Sequence, residues 1–350
     1  MSAKIPVTIL GATGTVGQKF VRLLADHPQF EIASVAASAQ SAGKRYGDIV
    51  RWREGTPLPE RVAAMTVTRA EPGIPGRIAF SAIEADIAGE VEQAFARAGV
   101  YVVTNTKTHR MDPDVPLLIP EVNPDHLGLL EGQQRKHGWT GGIVANPNCS
   151  TAGLVLGVAP LERAFGIEKL FVATMQAVSG AGYPGVASLD ALGNVIPHIG
   201  GEEEKMEQET RKIFGTMSPG GVREAAIGVS AHTNRVPVID GHLEVVSLGF
   251  GRRVSPEEAI AAIQAYRAPA EVAALHSTPA LPVEYDARPD RPQSRLDIER
   301  GNGMTVTVGR VRPCPLLDLR LVLLSHNTIR GAAGAAVQNA ELLVARGLVR

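Results

Sequence analysis

Cys149 stands in the run Ala145-Asn146-Pro147-Asn148-Cys149-Ser150-Thr151. The apolar Gly142-Ile143-Val144 before it reads as a strand, Asn-Pro-Asn as a turn, and the small-residue segment from Ser150 to Arg163 as a helix. The order places a thiol at a helix N-terminus, where unpaired N–H groups and the positive end of the helix dipole favour thiolate, the nucleophilic form. Asn146 or Asn148 suits the helix cap, and a helix start with a small buried cysteine is the plain structural alternative. Other side chains could join such chemistry. Gln176 lies on the alternating stretch Leu170–Ser179 and is placed to orient a thiolate or a carbonyl, although a satisfied sheet glutamine also accounts for it. His242 follows Asp240-Gly241 and is either an acid/base tuned near neutrality or an ordinary turn histidine. Asn105 and Arg110, in Thr104–Arg110, follow the strand Val100–Val103 and are placed to meet an anion, or form a polar loop.

The elements that must hold these groups begin at Val7-Thr8-Ile9-Leu10, a short β-rich run. Gly11-Ala12-Thr13-Gly14-Thr15-Val16-Gly17 follows, then Phe20, Val21, Leu23 and Leu24 at helical spacing, then a strand through Ile32–Val35. Strand, glycine turn, helix, strand is a βαβ unit. Glycines permit a tight turn and let a pyrophosphate approach the helix N-terminus, so Gly11, Thr13, Gly14, Thr15, Val16 and Gly17 are candidate dinucleotide contacts in a G-x-x-G-x-x-G variant of the usual fingerprint. No carboxylate follows the second strand to meet a ribose 2′-hydroxyl. Ser38, Ser41 and Lys44 stand there as donors to a 2′-phosphate, which favours NADP over NAD. Ile78–Ala82 reads as another strand, Ile87–Ala98 as a helix and Val100–Val103 as a further strand. The alternation predicts an α/β fold with a Rossmann-type doubly wound sheet.

A second domain starts near Cys149. The segment Gly201–Glu209 is a charged helix on which Glu202 and Lys205 share a face, the usual pattern of a solvated surface. Asn234–Val246 reads as a hairpin turning at Asp240-Gly241, with Pro237 suited to an edge strand. Ser255-Pro256-Glu257-Glu258 is a capping box for a helix running to about Tyr266. Arg288–Arg300 reads as a surface loop or an oligomer contact, and Leu319–Leu324 as a buried strand. Asn327–Gly334 opens an Ala-rich final helix to about Ala345, expected to cover a face of the first sheet.

At 350 residues the chain can build two domains. A net charge of −1 offers no field to attract nucleic acid or an anionic membrane, so a small anionic substrate needs a local pocket. The apolar stretch near the N-terminus stops at Gly11, too short for a signal-peptide core, and no run approaches the ~20 residues of a membrane span. A cytoplasmic protein is expected. Cys149 and Cys314, the only cysteines, form neither a disulfide framework nor a thiolate metal site, and the nine histidines lack paired ligand spacing, so no metal is expected. Cys314, between Pro313 and Pro315, has no assigned role.

With these segments in order the chain resembles the aspartate-β-semialdehyde dehydrogenases of the archaeal and fungal-like branch. Asn146-Pro147-Asn148-Cys149-Ser150-Thr151 is the most specific motif. The glycine turn, Gly201-Glu202-Glu203-Glu204-Lys205, Asn234-Arg235 through Gly241-His242, and Asn327–Ala333 fall in the family's order. The resemblance implies Cys149 as nucleophile, His242 as acid/base and Gln176 as the residue orienting the acyl group. It implies Arg235 on the substrate carboxylate, Glu202 on its ammonium, and Lys205, Asn105 and Arg110 around phosphate. Asn327 and Thr328 fall near the nicotinamide, and Ser81, Ser179 and Gly180 join the cofactor contacts. The implied division is 1–148 plus 328–350 for NADP(H), and 149–327 as an α+β catalytic and oligomerisation domain. The implied reaction is NADPH-dependent conversion of L-aspartyl-4-phosphate to L-aspartate-4-semialdehyde through a Cys thioester, in synthesis of lysine, threonine and methionine. The implied partners are the small-molecule substrate and inorganic phosphate, in a homodimer or homotetramer. Malonyl-CoA reductases and N-acetyl-glutamyl-phosphate reductase share this chemistry; the former lack a substrate ammonium for Glu202, and the Glu202–Lys205 motif argues against the latter. A non-catalytic NADP-binding sensor would need no thiolate.

Overall fold

The computed structural model describes residues 3–349. Strand β1 (Ile5–Leu10) leads through the glycine turn into helix α1 (Thr15–Leu24) and back to β2 (Phe30–Ala37). β3 (Thr68–Arg69) is a short edge, β4 (Ile78–Ser81) is followed by α2 (Ala85–Arg97), and β5 (Tyr101–Thr104) is joined to β6 (Gly142–Ala145) through α3 (Leu129–His137). The strands run parallel in the order β3-β2-β1-β4-β5-β6. Every residue of β4, β5 and β6 is buried, as a parallel sheet covered on both faces requires, and their near-continuous apolar sequences supply that burial. Strand order reverses beside β1, so its carboxyl end and that of β4 open a crevice. Gly11 makes the turn at that crevice with φ +80°, and a Cβ there would stand 2.4 Å from the carbonyl oxygen of Ala82.

Helix α4 (Cys149–Phe165) leaves the end of β6 and crosses to the second half. Its residues from Ser150 through Leu161 are all buried, which explains why it is apolar around its circumference rather than striped. It lies against β7 (Ile167–Gln176), β11 (His242–Phe250), β13 (Val306–Pro313) and β14 (Leu319–Ser325). With β10 (Gly228–Arg235) and β12 (Val283–Asp286) these strands form a mixed sheet in the order β10-β7-β11-β14-β13-β12. Helix α5 (Glu202–Ile213) packs on α4 and β10, and a small ribbon of β8 (Thr216–Ser218) and β9 (Gly221–Arg223) follows it. Helix α6 (Pro256–Ala265) starts at the Ser255 capping box, complete with both reciprocal hydrogen bonds. The final helix, α7 (Gly334–Ala345), returns to α1 and β5, and Ala336, Val337, Ala340 and Leu343 join the core built on Val7, Ile9 and Phe20.

One segment differs from its sequence reading. The expected hairpin at Asp240-Gly241 does not form, because β7 lies between β10 and β11, parallel to one and antiparallel to the other. The connection is instead pinned to the turn after β7, Val178 and Ser179 donating their N–H groups to Val238 and Ile239 carbonyls at 2.8 and 3.2 Å. Arg288–Arg300 lies largely at the surface, as its composition suggested, and is tied down by ion pairs, with Arg300 on Glu284, Asp286 and Asp297 at 2.7, 2.6 and 2.8 Å, and Arg291 also on Asp297.

Arg330 ties the C-terminal segment to the rest. Its guanidinium, 1% exposed, grips both oxygens of Glu121 at 2.7 and 3.2 Å and gives Nε to the Met304 carbonyl at 2.7 Å. Removing one member of such a pair strands the other charge in the interior. Arg330→Ala is expected to lower unfolding free energy by about 3–5 kcal/mol in denaturant titration. Arg330→Lys should recover only a minor part, since an ammonium cannot reproduce the fork.

Candidate active site

Helix α4 begins where the sequence suggested. Asn148 is its cap, its side-chain oxygen accepting from the N–H groups of Ser150 and Thr151 at 3.0 and 3.4 Å. Cys149 thereby occupies the first turn, and its Sγ lies 3.2 Å from Nε2 of His242, the first residue of β11. Strand ends, helix starts and loops of both halves converge on this pair in a cavity of ≈ 790 Å³. From the first sheet come Thr15, Val16, Asn105 and Arg110; from the second half come Gln176, Ser179, Gly180, Glu202, Arg235, Asn327 and Thr328. Gln176 contributes a buried Nε2 without a hydrogen-bond partner. Gly331, on the far wall, has no room for a side chain: a Cβ would stand 2.7 Å from Cβ of Cys149.

Residues 6–130 match the family model "Semialdehyde dehydrogenase, NAD binding domain", and residues 158–330 match "Semialdehyde dehydrogenase, dimerisation domain". The aspartate-semialdehyde dehydrogenase of Methanothermobacter thermautotrophicus is 47% identical, over 97% of this chain and 99% of that one. The chain belongs to the aspartate-semialdehyde dehydrogenase family. The Saccharomyces cerevisiae member is 44% identical with both chains fully covered. A crystal structure of the Candida albicans enzyme with NADP superimposes with a TM-score of 0.92 at 42% identity, covering 99% of this chain and 100% of that one. Aspartate semialdehyde dehydrogenase II of Vibrio cholerae, complexed with ASA, gives 0.77 at 28% identity over 98% and 99% of the two chains.

Within this family member the charges form a connected set. Glu202 accepts from Nδ2 of Asn148 at 2.7 Å and from Nζ of Lys205 at 2.9 Å, so the charged helix presents one face inward. Lys205 itself does not line the cavity. Arg110 donates to the Asn105 carbonyl at 2.8 Å and to Glu209 at 3.0 Å. Glu209, 1% exposed, also accepts the backbone N–H of Asn148 at 2.6 Å. Glu209 was not singled out from sequence, yet its signal was present: it lies two helical turns after Glu202, on the same face. Arg235 gives Nη1 to the Ala177 carbonyl at 2.7 Å, and Asn327 bonds the Ser179 hydroxyl at 2.8 Å and the Gly241 N–H at 2.9 Å.

The crevice beside the glycine turn fits a dinucleotide. Gly14 caps α1 without any side-chain hydrogen bond, leaving first-turn N–H groups open to an anion. A Cβ on Gly17 would stand 2.2 Å from the Gly11 carbonyl oxygen, so the turn is drawn as close as backbone allows. The Thr13 carbonyl is taken by Gln18 at 2.9 Å. Ser38, Ser41 and Lys44 sit past the end of β2, outside the ≈ 790 Å³ cavity, with the two hydroxyls 3.4 Å apart. Ser81 is turned inward, its hydroxyl on the buried Glu92 at 2.6 Å.

Burial, then the negative charge of Glu202, pushes the Cys149 thiol up to about 12, while Arg110, Arg235 and the Ser150 N–H act in the opposite sense. Removing the Glu202 charge therefore lowers the thiol pKa and enlarges the thiolate fraction at fixed pH. In a Cys314→Ser background, Glu202→Gln is expected to speed iodoacetamide alkylation of Cys149 several-fold at pH 8, measured by mass spectrometry.

Proposed function

We propose that this chain converts L-aspartyl-4-phosphate to L-aspartate-4-semialdehyde, reversibly, with NADP(H), in the aspartate-derived route to lysine, threonine and methionine. The observation that carries the reading is the Cys149–His242 pair at 3.2 Å, at a helix start, opening into a cavity that also holds Arg235 and Glu202. These supply a nucleophile, a donor for an oxyanion, a planar fork for a carboxylate and an acceptor for an ammonium.

Arg235 and Glu202 hold the amino-acid end of the substrate, and Gln176 Nε2 meets the acyl oxygen. Arg110 and Asn105, with Lys205 behind Glu202, receive the phosphate. Cys149 attacks the acyl carbon, phosphate departs and a thioester remains on the sulfur. NADPH, held by Gly11, Thr13, Gly14, Thr15, Val16 and Gly17, supplies the hydride that reduces this thioester. His242 stands beside the oxyanion of the resulting thiohemiacetal, which collapses to the aldehyde and frees Cys149. Ser179, Gly180, Asn327 and Thr328 border the nicotinamide side, and Ser81 supports the cleft floor through Glu92. Ser38, Ser41 and Lys44 read the 2′-phosphate; their type and the lack of a carboxylate among residues 37–44 support NADP.

We assign residues 1–148 with 328–350 to the cofactor, and 149–327 to catalysis and oligomerisation. Support comes from α7, whose apolar residues enter the first core. A homodimer or homotetramer is the proposed assembly. Phe171, Ala173 and Met175 on β7, with Leu243 and Val245 beside them on β11, are only partly covered and form an apolar strip on the sheet face away from α4. The proposed compartment is the cytoplasm; among the described residues no helix is long and apolar enough to cross a membrane.

The purified protein is expected to reduce NADP with L-aspartate-4-semialdehyde only when inorganic phosphate is present. Turnover of malonyl-CoA with NADPH, and none of the semialdehyde, would reject the reading. Cys149→Ala should abolish the reaction. Arg235→Lys should raise the semialdehyde KM by about 10- to 100-fold, or about 1.4–2.8 kcal/mol, through loss of the bidentate fork.

A further inference from the structure

Lys212, near the end of α5, carries an ammonium that the site described above does not use. It is 3% exposed, lies outside the cavity lining and follows Glu209 by one helical turn. Its Nζ donates to the carbonyl oxygens of Arg110, Asp112 and Val115 at 2.7, 2.7 and 2.9 Å. All three belong to the loop that leaves β5 and carries Arg110. An ammonium has three hydrogens on one atom, and here each finds a carbonyl of the same loop.

That loop has neither helix nor strand between residues 105 and 116 to stiffen it. Its own N–H groups at Arg110, Asp112 and Val115 bond back over three residues at 3.3, 3.2 and 3.2 Å. Burial pulls the Lys212 ammonium down to about 8, while Asp112, Asp114, Glu209 and Glu224 act in the opposite sense. At pH 7 the group therefore keeps its charge and all three donors.

Lys212 and Glu209 grip the two ends of one residue. Lys212 takes the backbone carbonyl of Arg110; Glu209 takes Nη1 of its side chain at 3.0 Å, and Nη2 reaches the Asn105 carbonyl at 2.8 Å. Each terminal nitrogen keeps a second hydrogen for an anion. A guanidinium meets phosphate through a planar fork, so the direction in which the loop launches the side chain decides how well the fork fits. Glu209 also receives the N–H of Asn148 at 2.6 Å, and one helix face thereby registers this loop against the start of α4.

We propose that Lys212 is a positioning residue for the phosphate side of the reaction: its ammonium gathers three carbonyls of one loop and fixes the backbone from which Arg110 reaches the cavity. The inference rests on the assignment of Arg110 to phosphate made above, and adds a residue that touches neither substrate nor cofactor. Without the ammonium, three carbonyls lose their donor and the loop shifts, misdirecting Arg110. Gln176 and Arg235 on the second sheet, and the glycine turn on the first, are held independently.

The test compares the full-length parent with Lys212→Met at pH 7. Binding of inorganic phosphate to the NADP-loaded protein is read from phosphorus NMR line broadening, and KM is measured separately for phosphate, semialdehyde and NADP. The phosphate dissociation constant and KM are expected to rise roughly 10- to 100-fold, the scale of a misplaced binding group, with the other two KM values near the parent's. Lys212→Gln keeps two donors without the charge and should recover part of the phosphate affinity; it also carries the test if Lys212→Met does not fold. Unchanged phosphate binding, equal losses for all three ligands, or no gain of Gln over Met overturns the proposal. Failure of both variants to fold assigns Lys212 to stability alone and overturns it too. A parent that binds phosphate but does not turn over the semialdehyde would instead reject the reaction assigned above, and the phosphate titration, which needs no turnover, still judges Lys212. A parent that binds no phosphate removes the role of Arg110 and the proposal with it.

Discussion

The capping of α4 by Asn148 is the contact on which the site depends. One residue satisfies two orphan N–H groups with its side-chain oxygen, holds Glu202 with its amide nitrogen and gives its own N–H to Glu209. These bonds fix where the helix starts, hence where Cys149 points, and they bind the acidic helix to the start of the central one. The Glu209–Arg110 pair behind it is almost fully buried, and so costs desolvation that its attraction largely offsets. Its product is geometry: Arg110 is held at the cavity wall with its direction set.

The two sheets divide the labour through their physical difference. The parallel sheet is covered on both faces, rigid and apolar, and places the turn at Gly11 against Ala82 to within van der Waals limits. The mixed sheet is covered by α4 on one face and delivers Gln176, Arg235 and His242 from the ends of neighbouring strands. Neither sheet contains the site. The site exists because α4 starts at one and lies on the other, and because the segment after β14 comes back between them.

Much of this was legible in the chain itself. The βαβ unit, the helix at Cys149 and the capping box at Ser255 announce themselves through local periodicity and cap chemistry, which act within a few residues. Asp240-Gly241 misled for the same reason: the dipeptide specifies a tight reversal, but nothing local records that β7 will intervene between the strands it joins. Glu209 pairs with Arg110 across 99 residues, so its inward face shows only as a spacing shared with Glu202. The role of Ala177 was beyond reading, because its contribution to holding Arg235 is a backbone carbonyl that every residue possesses. The Arg288–Arg300 segment has surface composition and lies largely at the surface, but the ion pairs of Arg300 with Asp286 and Asp297 could not be read from it.

The path of the C-terminal segment sets a temporal order on the molecule. Cys149 and His242 leave the ribosome long before residues 327–345, yet Asn327, Thr328 and Gly331 complete the wall around the thiol and α7 covers the core of the first sheet. Until residues 327–345 have been made, the nascent chain carries its thiol with one side of the chamber missing and the first β-sheet uncovered. Folding of the first half during synthesis therefore stops short of its final state, and the segment 327–345 completes a partly built scaffold.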